Sequence, residues 1–99
     1  MGKLVRDLIP EIIEATGRTP VTRVLDDDEY RMALQEKLVE EAAELRDATD
    51  ADRAEELADV WEVVHALASD MGLTPAALAR LAARKRAERG AFVGRIWLE

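Results

Sequence analysis

Lys37-Leu38-Val39-Glu40-Glu41-Ala42-Ala43-Glu44-Leu45 is the stretch on which the fold turns. At about 100° per residue, a helix through it carries an apolar stripe of Tyr30, Leu34, Leu38 and Leu45. Glu41 falls inside that stripe, about 20° from Leu34. Glu44 and Lys37 lie at its edge, and Glu40 lies further round toward solvent, beside the same edge. A carboxylate set among leucines costs several kcal/mol unless it is paired or bound to metal.

Working outward, the helix runs from about Glu29 to Ala48, and Asp26, Asp27 and Asp28 before it offer N-cap oxygens. Thr49-Asp50-Ala51-Asp52 breaks it and caps the next helix, which runs from about Ala51 to Met71 and is stopped by Gly72. The stripe of this helix reads Leu57, Val60, Trp61, Val64, Leu67, Ala68 and Met71. Glu56 sits about 20° from Leu67, and Asp59 lies farther out, beside Val63. Each helix therefore presents an i,i+3 carboxylate pair, Glu41 with Glu44 and Glu56 with Asp59. Facing one another, the helices would bring four hard oxygen ligands together. Such a set repels itself unless neutralised, and with Mg²⁺ or Mn²⁺ it forms a cation site of the kind that also takes phosphates. One E-x-x-E in a Glu-rich helix means little. Two such pairs on the apolar sides of adjacent helices mean more.

The remaining elements are shorter. Residues 1–9 read as an irregular arm, followed by a short helix from Pro10 to Ala15 that Gly17 ends. Thr74-Pro75 opens a last helix that reaches Arg89, with Gly90 after it. Val21–Leu25 and residues 94–98 are two candidate strands, able to pair as a small ribbon. Short connections predict antiparallel neighbours. The expected architecture is an all-α antiparallel bundle in one domain, residues 1–99. A chain of this length buries a thin core, so a homodimer is expected to complete the bundle.

Composition narrows the function. The 99 residues contain no cysteine, so neither disulfides nor thiolate metal sites contribute. No apolar run approaches a membrane span, and the first residues lack a signal-peptide core. A cytoplasmic protein without a membrane partner is expected. The net charge of −7 disfavours nucleic acid as the main partner. From Asp26 to Glu62 there are 15 acids against four bases, whereas from Arg80 to Arg95 six bases face one acid, Glu88. An acidic middle between basic ends suits a site for divalent cations and phosphates; it equally describes a helix with a solvated acidic face. No G-x-x-x-x-G-K-[ST] run is present, so this is not a P-loop enzyme.

Lys37–Glu44, followed by Glu55-Glu56-Leu57-Ala58-Asp59, resembles the E-E-x-x-E … E-x-x-D signature of the all-α NTP pyrophosphohydrolase superfamily. That group includes the MazG-like proteins and the phosphoribosyl-ATP pyrophosphohydrolases. The opening Lys3-Leu4-Val5-Arg6-Asp7-Leu8-Ile9-Pro10 and the closing Arg89-Gly90-Ala91-Phe92, with Lys85 before it, look like a short single-domain branch. The resemblance implies a helical dimer or dimer of dimers that hydrolyses a nucleotide between its α- and β-phosphates. It implies Mg²⁺, or Mn²⁺ in substitution, held by Glu41, Glu44, Glu56 and Asp59. Glu40 would orient or deprotonate the attacking water. Lys85, Arg89, Lys37, Lys3 and Arg6 are candidates to hold phosphate oxygens. Lys85 and Arg89 also suit a helix C-terminus as cations, and Lys37 suits a simple i,i+4 pair with Glu41.

Two other readings compete. Glu62-x-x-His65 has the spacing of di-iron carboxylate bundles, but it lies on the flank opposite Glu56 and Asp59. A non-catalytic helical interaction module would leave the carboxylates solvated and use the basic end to dock an acidic partner.

Overall fold

The computed structural model describes residues 2–99. Four helices account for its regular structure: α1 (Ile9–Ala15), α2 (Asp27–Asp47), α3 (Arg53–Asp70) and α4 (Pro75–Arg89). The chain forms two compact units, the first ending at Leu67 and the second running from Ala68 to Glu99. The first contains α1, α2 and most of α3. The second contains the last turn of α3, all of α4 and the residues after it.

The start of α2 is fixed by a reciprocal cap. The Glu29 N–H donates to Asp26 Oδ1 at 2.9 Å, and the Asp26 N–H donates to Glu29 Oε1 at 3.4 Å. Arg23 then grips the same glutamate through both guanidinium nitrogens, at 3.1 and 2.7 Å. That fork holds the Glu29 carboxyl down to about 2. Replacing Asp26 with alanine removes the cap, so Asp26→Ala should cost about 1 kcal/mol in a urea or guanidinium titration.

Residues 48–52 turn the chain so that α3 runs back along α2. Leu34 is buried on α2 and Val63 on α3, with Tyr30, Leu38 and Leu45 half-buried along the expected stripe of α2. Glu41 lies within that stripe at 7% exposure, the one buried charged residue among those described. The stripe of α3 agrees with the expectation at Val60, Val64, Leu67 and Ala68 and departs from it at three positions. Val63 is buried and Glu56, Asp59, Val60, Val64 and Leu67 are half-buried, whereas Leu57 (58% exposed), Trp61 (65%) and Met71 (66%) face outward. Apolar residues cover more than one face of this helix, so periodicity drew outward positions into the expected stripe. The inward face is the one that carries the acids.

In the second unit, Gly72 ends α3 with φ 77°. The Leu73 N–H bonds to the Ala68 carbonyl at 2.8 Å and the Gly72 N–H to that of Ser69 at 3.0 Å. This is the glycine-dependent closure expected from the sequence. Thr74 caps α4 by accepting from the Ala77 N–H at 3.1 Å.

The expected ribbon does not form. Val21–Leu25 and residues 94–98 are both irregular, and the described residues contain no strand. Val21 and Val24 are almost fully exposed, as are Ile96 and Leu98, so neither segment has a surface to pack against. Arg95 also adopts φ 56°, which interrupts any extended run there.

Candidate metal centre

The antiparallel return of α3 places its first two turns beside the last two turns of α2. One carboxylate oxygen from each of Glu41, Glu56 and Asp59 lies within 4.8 Å of the others. A second group forms on α2 alone, where oxygens of Glu40, Glu41 and Glu44 satisfy the same limit. Glu41 belongs to both. Glu44, Glu56 and Asp59, three of the four acids expected as cation ligands, are thus drawn around the fourth, the buried Glu41, with Glu40 at the rim.

The electrostatics of this arrangement are unfavourable without a cation. Glu41 Oε2 and Glu56 Oε2 are buried and accept no hydrogen bond, a state that buried carboxylate oxygens rarely tolerate. A hydrogen bond to Glu41, and then the Glu41 charge, raise the Glu44 pKa. Burial raises that of Glu56, with Asp59 and Glu41 adding to it. An acid whose folded-state pKa is raised stabilises the fold below its ordinary value of 4.5 and loses that contribution as pH climbs through the raised value. The chelator-treated protein should therefore melt at higher temperature near pH 5 than near pH 7.5, a trend that saturating Mg²⁺ or Mn²⁺ should remove.

The cations expected at the site are placed unequally. Lys37 Nζ lies 3.3 Å from Glu41 Oε1 and 3.6 Å from Glu40 Oε1. It is the i,i+4 partner of Glu41 and partly offsets the acidic cluster. Arg6 reaches from the N-terminal arm to α3, where Nη2 donates to Asp59 Oδ1 at 2.7 Å and Nη1 stands 3.7 Å from Glu62. Lys3 is exposed on the same arm. Lys85 and Arg89 are exposed on α4, in the second unit.

Glu62 and His65, the alternative ligand pair, have other neighbours. Glu62 is turned toward Arg6, and the His65 ring lies against Trp61 with centroids 4.7 Å apart and planes tilted by 50°. Neither joins a group of three possible ligands among the described residues.

Two acids beyond the expected set also border the site. An open pocket of about 500 Å³ is lined by Glu40, Ala43, Glu44, Asp47, Ala48, Thr49, Asp52 and Glu56. Asp52 also pushes the Glu56 carboxyl upward. Its position four residues before Glu56 puts it on the same helical side, so the i,i+4 rule could have found it.

A donor set of carboxylates alone, with two buried oxygens lacking partners, fits a hard divalent cation such as Mg²⁺ or Mn²⁺ and suits softer metals poorly. No helix among the described residues is long and apolar enough to cross a membrane.

The family model for phosphoribosyl-ATP pyrophosphohydrolase matches residues 5–86. An uncharacterized protein of Mycolicibacterium smegmatis is 63% identical over 54 residues, which cover 54% of this chain and 55% of that protein. The chain thus matches little more than half of that relative's length. No solved structure matches.

Proposed function

Because the chain belongs to the phosphoribosyl-ATP pyrophosphohydrolase family, we propose that it hydrolyses a nucleotide between its α- and β-phosphates, releasing a nucleoside monophosphate and pyrophosphate, with Mg²⁺ or Mn²⁺ as cofactor. The observation that carries this reading is the pair of partnerless buried oxygens, Glu41 Oε2 and Glu56 Oε2, on facing helices. Carboxylates kept at such a cost, and only partly offset by Lys37 and Arg6, have a use for a further cation.

Glu41, Glu44, Glu56 and Asp59 would hold the cofactor, with Glu41 common to both ligand groups. When bound, a divalent ion supplies charge neutralisation at the phosphate oxygens and acidifies a coordinated water. Glu40 remains at the solvent edge beside Glu41 and Glu44, where it can orient the attacking water and take its proton. Lys37 holds Glu40 and Glu41 in place by its two contacts. Lys3 and Arg6, on the arm of the same unit as the acids, would hold phosphate oxygens, Arg6 through a fork matched to phosphate; Lys85 and Arg89, on α4 in the second unit, are proposed for the same role from the family resemblance alone.

The outward apolar side of α3, with Leu57 and Trp61, and the exposed Met32 and Val39 on α2 support a homodimer as the working form, or a dimer of dimers. A cytoplasmic location is part of the same proposal.

The test is a pyrophosphate-release assay across standard nucleoside triphosphates, modified triphosphates and phosphoribosyl-ATP, run with Mg²⁺, with Mn²⁺ and with chelator. At least one nucleotide should release pyrophosphate only with a divalent ion present. Absence of release from every nucleotide would favour the interaction-module reading instead.

A further inference from the structure

We propose that Arg6 is a cation held in reserve: its guanidinium competes with the divalent ion for Asp59, and loading of the site transfers it from Asp59 to a substrate phosphate. The inference rests on the divalent-cation reading of the site and adds an order of binding to it.

Three observations carry it. Arg6 and Asp59 are 53 positions apart, yet Arg6 Nη2 sits 2.7 Å from Asp59 Oδ1, and Asp59 belongs to the ligand group of Glu41 and Glu56. The guanidinium thus neutralises one member of an acidic group whose other two members keep oxygens without partners. The pair is also loosely held. The Arg6 side chain is 56% exposed and that of Asp59 39%, and the second contact, to Glu62, stretches to 3.7 Å at a carboxylate 60% exposed. Exposed ion pairs of this kind are weak and exchange readily. Finally, the backbone at Arg6 is anchored. The Ile9 N–H donates to the Arg6 carbonyl at 3.1 Å where the arm enters α1, so only the side chain has to move.

Electrostatics sets the direction of the exchange. Two cations beside one carboxylate repel each other, so the guanidinium weakens cation binding at Asp59 and is itself weakened by it. Once Asp59 is neutralised, Arg6 loses its strongest partner at the rim of the site. Its planar fork then pairs with phosphate oxygens, the most strongly charged acceptors that substrate brings.

Calorimetric titration of the whole chain separates this from a structural role. Mn²⁺ should bind Arg6→Ala about three- to fivefold more tightly than wild type, the scale of one exposed ion pair. With Mn²⁺ bound, an α,β-methylene nucleoside triphosphate should bind the same variant at least about fivefold more weakly. Arg6→Lys, which keeps the charge, should stay near wild type for Mn²⁺. A merely structural arginine would move both affinities the same way. Mn²⁺ affinity in Arg6→Ala equal to or weaker than wild type overturns the proposal. Should that variant unfold, Arg6→Gln takes its place with the same expected signs. Wild-type protein that binds no Mn²⁺ at all would instead remove the metal reading underneath.

Discussion

Glu41→Gln should abolish pyrophosphate release while making the metal-free protein more stable. Glu41 is 7% exposed, lies in both acidic groups and has one oxygen without any partner. Altering a residue that merely supports a metal ligand typically costs about 10–100-fold in affinity or activity. Removing the charge of a ligand shared by both groups should exceed that, so a loss above about a hundredfold is the expected result. The stability change has the opposite sign. The amide no longer repels Glu44 and Glu56, and the ion pair it gives up is the one with Lys37. The balance should be a gain of about 1 kcal/mol in chelator, from relieving a buried, partly unsatisfied charge. Thermal unfolding and turnover measured on the same preparation check both signs. A variant that turns over normally, or one that is both inactive and unfolded, would contradict the assigned role.

The second large effect is the response of the wild-type protein to the proposed divalent cofactor. A ligand that binds only the folded state at a hundred times its dissociation constant stabilises by about 2.7 kcal/mol. In a chain of this size that corresponds to a rise in melting temperature of roughly 10–20 °C. Mg²⁺ or Mn²⁺ should produce it. Glu56→Gln should lose most of it, because Glu56 contributes a buried oxygen from the facing helix. Ca²⁺ serves as a comparison ion, since it takes the same oxygen ligands at longer distance. A differential scanning trace unchanged by any divalent ion would leave the carboxylates as ordinary, if costly, side chains.

The helices were legible because their ends are written in short-range chemistry. Asp26 with Glu29, Thr74 with Pro75, and Gly72 each declare a boundary within a residue or two of the observed one. The anomaly of Glu41 was legible for a related reason, since a single acid stands out against Tyr30, Leu34, Leu38 and Leu45. What escaped depended on contacts between elements. On α3 the flank of Glu56 and Asp59 turned inward as expected, with Val60, Val64 and Leu67, but Leu57 and Trp61 did not follow, because the apolar residues of this helix spread over more than one face. The ribbon failed for lack of a packing surface, which β-branched residues such as Val21 and Val24 cannot announce. Arg6 was recognisable as a candidate cation, but its position on Asp59 follows from the path of the arm.

The acids and the arginine also differ in how the chain must travel to unite them. Glu41 and Glu56 are 15 positions apart across one tight reversal, so the entropy of closing that loop is modest and the reversal forms rapidly. Arg6 must instead find a partner 53 positions away. By loop-closure entropy, the acidic half of the site is expected to take shape first and the guanidinium contact to form afterward. A newly made chain would meet divalent ions in the surrounding medium before its own arginine had come to compete for them.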